Sequence, residues 1–285
     1  MDRPVIENLE CRTLFSIPVV PQTDPDSPTD ELEPHVQLAR QLVTEVTPEN
    51  NNYATPTHIT WRGIDGETVS TNTSVCSTLI TKLLKQAYGF TNAQFTTWTG
   101  ETSPEAEDYY DAADNNRGFV RIMNIADLRV GDVFIAKYLQ QTTDATGHIA
   151  IIAATPRLTL LSGGERRYSV DVIDSTSSYH GTSDTRHRID PTTGDYDEGV
   201  GLGTMRMITD DNGLLIKYSW STLTSSIIYD ATERPSLFAK IPPHQLVSSE
   251  PTPGMDAGSS MHSNPFSAEP IDQSAIDAID LTDLV

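Results

Sequence analysis

The sequence has few positive charges. Lys and Arg together number 19 against 40 Asp and Glu residues, which gives the 285-residue chain a formal net charge of −21. A chain of this charge is repelled by nucleic acid and by anionic membrane surfaces, because both are themselves negatively charged. We therefore expect no nucleic-acid partner.

Cysteine and long apolar runs are also scarce. Only Cys11 and Cys76 occur, in regions of very different composition, so a disulfide framework is not expected. No run of about 18 apolar residues is present, which predicts that the chain does not insert into a membrane. The first residues lack the basic-then-apolar layout of a secretory signal.

Composition divides the chain into three parts. Residues 1–34 contain six prolines, and residues 241–285 contain Asp and Glu but no Lys or Arg. Such segments bury too little apolar surface to offset the entropy of ordering. We predict a disordered leader, a folded domain over residues 35–240 and a disordered acidic tail. An alternative for residues 271–285 is a short helix on a partner.

Within the domain, periodicity predicts helices first and strands afterwards. Helices are expected over His35–Val46, from a cap at Thr73 or Ser74 to Gly89, and over Pro104–Asn115, with a polar loop before the second helix. Strands are expected over residues 132–138, 148–155, 168–174, 203–209 and 214–220. A turn at Gly163-Gly164 would join the second strand to the third. This order indicates an α+β fold with N-terminal helices packed on an antiparallel sheet.

Cys76 lies in the first turn of the clearest predicted helix. Unpaired backbone N–H groups and the positive end of the helix dipole favour a thiolate there, and the thiolate is the nucleophilic form of cysteine. On position alone, a small buried residue covered by the helix is an equally good interpretation.

His148 and Asp174 are the candidate partners of this cysteine. His148 begins an apolar strand after a polar loop, which suits a general base on a rigid scaffold. Asp174 ends the next predicted strand, where a carboxylate would orient the imidazole. The alternatives are a structural histidine and a turn-initiating aspartate. If the two strands pair, all three side chains converge on one point.

Three segments carry a resemblance to the NlpC/P60 and CHAP families of papain-like cysteine hydrolases. They are Trp61–Gly63 with Cys76-Ser77 and Leu79-Ile80, then Leu128–Phe134, then Gly147–Ile152. In those families a Cys-Ser pair opens a helix, a PGD turn enters a strand, and a GHV strand carries the base. The resemblance covers residues 61 to 176. Two positions depart from it, because Val75 stands for the usual Asp before the cysteine and Val130 for the proline of the turn.

The resemblance implies a papain-like fold with Cys76 as nucleophile, His148 as base and Asp174 as orienting group. It implies amide hydrolysis through a thioester, with peptidoglycan-type peptides as the favoured substrate class. No cofactor is expected. An acyl or amide transferase on the same thioester and a non-catalytic wall-peptide-binding module are the alternatives. The sequence leaves the oligomeric state open.

A second resemblance concerns the segment Asn8–Ser16, NLECRTLFS. It is similar to the LEPRxLLS segment near the N-terminus of many planctomycete surface proteins, with Cys11 in place of the usual proline. The resemblance implies export or a location at the cell surface. The alternative is a disordered leader without a targeting signal, which leaves a cytoplasmic location open.

Further polar residues follow Asp174. Tyr179, His180, Asp184 and Arg186 are candidate substrate-binding residues, with an ordinary polar loop as the alternative. A metal site is disfavoured, because no pair shows the spacing of a zinc motif; the residues considered for it are Asp144, His148, Asp174, His180 and Asp184. The glycine-rich segment Gly199–Gly203 is interpreted as a tight turn or a close backbone contact, not as a phosphate-binding loop.

Overall fold

The computed structural model describes residues 32–140, 145–189 and 194–241. Residues 1–31 of the predicted leader, including Cys11 and the LEPR-like segment, lie outside the described residues. The predicted acidic tail from residue 242 onward and Asp144 lie outside them as well.

The described chain contains four α-helices, all of them before residue 115. They are α1 (Pro34–Glu45), α2 (Cys76–Tyr88), α3 (Asn92–Thr99) and α4 (Ala106–Asp114). The proline that opens α1 costs no hydrogen bond, because the first N–H of a helix has no partner within the helix. In the described part of the chain, no helix has the length and apolar character needed to cross a membrane.

The ends of α2 show one agreement with the prediction and one difference. The helix ends at Gly89, which takes the left-handed conformation with φ 69° that ends many helices. Its start differs, because Cys76 is the first helical residue and Val75 is the N-cap, so Thr73 and Ser74 lie before the helix. Helix α3 was not predicted, since eight residues give too little periodicity to read.

Most of the described strands belong to one antiparallel sheet. They are β4 (Val120–Ile122), β5 (Val133–Lys137), β6 (Gly147–Ile152), β7 (Arg157–Ser162), β8 (Glu165–Thr176), β9 (Gly199–Thr209), β10 (Leu215–Ser219), β11 (Ile228–Asp230) and β12 (Ser236–Lys240). Their order across the sheet is β11-β10-β9-β8-β6-β5-β12-β4, and β7 pairs with β8 outside this path. The α+β class is thereby confirmed.

A second, smaller sheet lies in the segment predicted to be a polar loop. Its strands are β1 (Asn51–Asn52), β2 (His58–Thr60) and β3 (Thr71–Thr73), in the order β1-β3-β2. These strands are two or three residues long, which is too short for an alternating pattern to identify them.

The predicted hairpin between the second and third strands was wrong in one respect. The Gly163-Gly164 turn joins β7 to β8, and not β6 to β8. Strand β7 was missed because several of its leucines are exposed, so the usual alternation is absent. Strand β8 is 12 residues long. Its first half pairs with β7, and its second half pairs with β6 through Ile151 opposite Ile173.

The central strand β6 is buried on both faces. Ile149 and Ile151 of β6 pack in the core beneath the helices, while Ala150 and Ile152 face the opposite side. On that side the sheet curls onto itself, because the ring centroids of Phe134 on β5 and Tyr218 on β10 are 5.0 Å apart although three strands separate β5 from β10. Helices thus cover one face, and curvature encloses the other.

Candidate active site

Cys76 is the first residue of α2 and is 5% exposed. The N-cap residue Val75 has no side-chain acceptor, and no side chain caps the helix. At this end the hydroxyl of Thr78 accepts from the N–H of Val75 at 3.1 Å and donates to the carbonyl of Val75 at 3.2 Å. The first-turn N–H groups are therefore left to interact with a charge at the Cys76 sulfur or with a bound anion.

Buried side chains fix the segment in front of Cys76. The amide of Asn51 donates to the carbonyl of Val200 and accepts from its N–H, both at 2.8 Å. Asn72 donates to Asn51 at 2.9 Å, and Ser74 donates to Asn72 at 2.7 Å. The hydroxyl of Ser175 on β8 donates to the carbonyl of Ser74 at 2.8 Å. The start of α2 is thus tied to the sheet.

His148 and Asp174 meet across the sheet. Nε2 of His148 donates to Oδ2 of Asp174 at 2.7 Å, and both side chains are buried. Strand β8 continues through Thr176, so Asp174 lies within a strand and does not initiate a turn. Cys76 acts on His148 as well, because its charge raises the pKa of the imidazole. Because Nε2 faces Asp174, Nδ1 is the ring nitrogen that is left for the sulfur.

The charges around His148 favour its protonated form. Burial by itself would lower the pKa of His148. The charge of Cys76, followed by hydrogen bonds with Asp174 and Cys76, outweighs burial and raises this pKa to about 9. His148 is therefore an imidazolium at neutral pH, paired with Cys76 on one side and Asp174 on the other.

Asp174 has two further side-chain partners behind it. Oδ2 also accepts from Nε2 of His180 at 2.7 Å, and Nη1 of Arg186 lies 2.9 Å from Oδ1. Burial opposes ionisation of Asp174, but the charges of His180 and Arg186 and the histidine hydrogen bonds hold its pKa well below its usual range. Asp184 in turn accepts from Nε and Nη2 of Arg186 at 2.9 and 2.8 Å. The carboxylate of Asp174 is thus ionised and fixed in orientation.

The predicted substrate-binding residues divide into two groups. His180, Asp184 and Arg186 are only 1%, 5% and 2% exposed and lie behind Asp174. The expectation that these three residues line the cleft was therefore wrong. Tyr179 is half-buried and lies in an adjoining cleft, where its ring centroid is 4.4 Å from that of Tyr196. The two groups differ in burial, and the sequence of a polar segment does not show which of its side chains face inwards.

Glycines on β9 make room for this buried group. A Cβ at Gly203 would lie 2.7 Å from Cβ of His180 and closer still to the carboxylate of Asp184. A Cβ at Gly201 would overlap the guanidinium of Arg186. The glycine-rich segment therefore opens a strand and is not a turn, and the close backbone contact that we expected is made with the partners of Asp174.

A cleft of about 660 Å³ lies beside Cys76, within the size range of ligand-binding pockets. It is lined by Tyr53, Thr55, Val75–Thr78, Ser103–Ala106, Ala145–Gly147 and Ser177. Glu105 is the charged side chain in this lining, and neither Lys nor Arg occurs among these described residues. The cleft therefore favours a neutral or cationic ligand.

The buried histidines and Asp174 do not fit a metal ion. Ligand atoms of His148, Asp174 and His180 lie within 4.8 Å of one another. However, each histidine Nε2 lies 2.7 Å from the same oxygen of Asp174. Ligands about 2.0–2.1 Å from a tetrahedral zinc would lie farther apart, at roughly 3.3 Å. The guanidinium of Arg186 adds a fixed positive charge at this point. The group is a hydrogen-bonded cluster.

Comparison with known proteins gives a family but no activity. No protein-family model matches the chain, and no solved structure matches it. The chain is 30% identical over 227 residues to the "Uncharacterized protein R653" of Acanthamoeba polyphaga mimivirus, and the match covers 74% of this chain and 98% of that protein. The chain belongs to the family of this mimivirus protein. The name of the mimivirus protein states no activity, so the geometry of the site must indicate one.

Three residues that shape the site could not be identified from the sequence. Asn51 and Asn72 hold the cysteine segment, and Tyr53 lines the cleft. The pKa of Tyr53 is raised above its usual range by burial and then by the charge of Cys76, so its hydroxyl stays protonated. All three residues lie in short strands or loops, where a single sequence shows no periodicity.

Proposed function

We propose that the protein is a papain-like cysteine hydrolase that cleaves amide bonds. The observation that carries the proposal is the chain of contacts from Asp174 through His148 to Cys76 at the open N-terminus of α2, beside a cleft. A nucleophile, a base and a group that orients the base are the parts that acyl transfer requires.

The reaction would proceed in two steps. The Cys76 thiolate attacks the amide carbonyl, and the resulting oxyanion is stabilised by first-turn N–H groups of α2. Nδ1 of His148 then gives its proton to the leaving amine as the C–N bond breaks, which leaves a thioester on Cys76. Water, deprotonated by the now neutral His148, attacks the thioester and releases the acid together with the thiolate. Asp174 keeps the ring oriented and stabilises its charged form.

We propose peptides, including wall-type peptides, as the substrate class. The support is the resemblance around Cys76 and His148 together with a cleft that carries Glu105 and no Lys or Arg in its described lining. A negatively charged chain is unsuited to polyanionic substrates. The substitutions Val75 and Val130 separate this chain from typical peptidoglycan endopeptidases, so peptides without a glycan belong in the same screen.

The test is a screen of peptide amides and wall fragments, read by mass spectrometry, with wild-type protein and Cys76→Ala. We expect products from the wild type, no products from Cys76→Ala, and a thioester adduct on Cys76 after rapid acid quenching. A Cys76→Ala protein that cleaves at the wild-type rate would rule out the proposed mechanism.

Two further measurements separate the alternatives. A competing amine added to the reaction reveals a transferase if the amide product exceeds the free acid. Iodoacetamide labelling in a Cys11→Ser background reports on Cys76 alone, because the chain has only two cysteines. Labelling near pH 6 that is no faster than that of free cysteine would favour a peptide-binding module without an activated thiolate.

A further inference from the structure

Among the described residues, the ring nitrogens of His180 contact hydrogen-bond acceptors only. Nε2 lies 2.7 Å from Oδ2 of Asp174, and Nδ1 lies 2.7 Å from the carbonyl oxygen of Trp220. A carbonyl oxygen and an ionised carboxylate can only accept hydrogen bonds. Both nitrogens of His180 must therefore carry a proton, which makes the ring a cation that is 1% exposed.

A protonated Asp174 would be the other way to satisfy these contacts, and the surroundings oppose it. Arg186 lies 2.9 Å from Oδ1, and its fixed positive charge favours the ionised carboxylate over the neutral acid. The indole of Trp220 lies with its centroid 4.3 Å from that of His180, tilted by 37°, and the face of an aromatic ring attracts a cation. Both contacts favour an ionised Asp174 beside a cationic His180.

Charge balance leads to the same protonation state. The buried cluster contains three groups that can be negative and three that can be positive: the side chains of Cys76, Asp174 and Asp184, and those of His148, His180 and Arg186. With Cys76 as thiolate and both histidines protonated, the cluster is neutral. With a neutral His180 it would hold one uncompensated negative charge away from water, which is costly.

The other ionisable groups that face the cluster do not supply the missing charge. Glu198 accepts from the backbone N–H of Tyr53 at 3.3 Å and is negative when ionised. Tyrosines approach from three elements, and burial above all raises the pKa of each beyond its usual range, so all stay neutral: Tyr53 after β1, Tyr109 on α4 and Tyr138 after β5.

We propose that His180 is a positioning residue that remains doubly protonated, orients Asp174 from behind and makes the thiolate–imidazolium pair of Cys76 and His148 form at lower pH. This inference rests on the proposed function of the same site. The ring centroids of His180 and His148 are 6.4 Å apart, close enough for one charge to influence the other in a buried cluster.

Removing the charge of His180 should shift the pH dependence of Cys76 reactivity in the same direction at its acidic and its basic limb. Without the cation, the thiolate is less stable, so its formation moves to higher pH. The imidazolium of His148 is no longer repelled by a cation at position 180, so its deprotonation moves to higher pH as well. A residue that only fills space would lower the amplitude of the profile without moving both limbs in the same direction.

The experiment measures the alkylation rate of Cys76 by iodoacetamide from pH 4 to 10 in the full-length Cys11→Ser chain, with His180→Gln and His35→Gln. His35 is a matched control, because it is also buried, and its ring bonds the carbonyl of Gly131 at 2.9 Å and the hydroxyl of Tyr88 at 2.6 Å. We expect His180→Gln to shift both limbs to higher pH and to lower the rate near pH 6 roughly tenfold, one pKa unit's worth. His35→Gln should leave the limbs in place.

A His180→Gln profile whose limbs match those of the parent would overturn the inference. If the parent itself shows no activation near pH 6, the proposed function fails, which is a distinguishable result. Should His180→Gln not fold, NMR of the ¹⁵N-labelled parent, with His180 assigned through its backbone, gives the answer directly. Two protonated ring nitrogens on His180 at pH 8 are expected, and a singly protonated ring would contradict the inference.

Discussion

At the scale of single residues, Asp174 sets the geometry of the site. Its two oxygens contact three basic side chains: those of His148 and His180 at Oδ2 and that of Arg186 at Oδ1. Its side chain is fully buried, so water cannot replace any of these contacts. A buried charge is tolerated only with such partners, and the partners in turn depend on it.

We predict that Asp174→Asn lowers the free energy of unfolding by about 3–5 kcal/mol, because it leaves buried cations without their anion. Asp171→Asn on the same strand is the control. Asp171 pairs with Arg157, whose side chain is 55% exposed, so its loss should cost no more than about 1 kcal/mol. Urea denaturation at pH 7 measures both. Equal losses in the two variants would contradict the role given to Asp174.

The pKa of His148 predicts how stability changes with pH. Its value in the folded state, about 9, lies above the ordinary 6.5. A raised pKa adds stability that is fully present below pH 6.5 and is lost as the pH rises through about 9. For Asp174 the shift is downward from 3.8, so its contribution is present above that pH and is lost as the pH falls further.

We therefore expect the difference in unfolding free energy between wild type and His148→Gln to be largest near pH 6 and to shrink between pH 6.5 and 9. Urea titrations across this range measure the difference. A difference that stays constant up to pH 10 would show that the pKa of His148 is not raised.

At the scale of elements, the pairing of β8 with β9 builds the site. Asp174 lies opposite Gly201 in this ladder, and Val172 lies opposite Gly203. The two glycines leave the space that the guanidinium of Arg186 and the ring of His180 occupy. The partners of Asp174 thus pack against the backbone of β9 at these two glycines.

We predict that Gly203→Ala lowers the free energy of unfolding by about 1–3 kcal/mol, the usual cost of overpacking a core, and slows alkylation of Cys76 near pH 6. The new methyl group would displace His180 or Asp184. Leu202→Ala, at the exposed position between the two glycines, is the control and should change stability by no more than about 0.5 kcal/mol. Unchanged alkylation in Gly203→Ala would show that β9 does not support the site.

At the scale of the whole molecule, charge governs what approaches the cleft. The chain carries a formal net charge of −21, and the described lining of the cleft includes Glu105 without Lys or Arg. Such a field raises the local concentration of cations and lowers that of anions.

We predict that a cationic methanethiosulfonate modifies Cys76 faster than an anionic one of similar size, in the Cys11→Ser background. The ratio of the two rates should fall as salt is raised from 0.01 M, where the screening length is about 30 Å, to 1 M, where it is about 3 Å. Rates that do not depend on reagent charge would show that the field does not reach the sulfur.

The fold was predictable where periodicity was strong. Helix α1, the end of α2 at Gly89 and the central strands β5, β6 and β8 were expected from the sequence. Strand β4, at the edge of the sheet, and its neighbour β12 were not, because β4 is only three residues long and β12 pairs with strands from distant parts of the chain. Short strands acquire their conformation from their partners, which local sequence does not record.

The sequence alone determined the negative field of the molecule, the α+β class and the placement of Cys76 at a helix start and of His148 at a strand start. These features depend on composition and on local periodicity. Only the tertiary structure decided that His180 and Arg186 lie behind Asp174 and not in the cleft. Burial and hydrogen-bond partners arise from residues far apart in the chain, and the pairing of β8 with both β6 and β9 brings them together at one carboxylate.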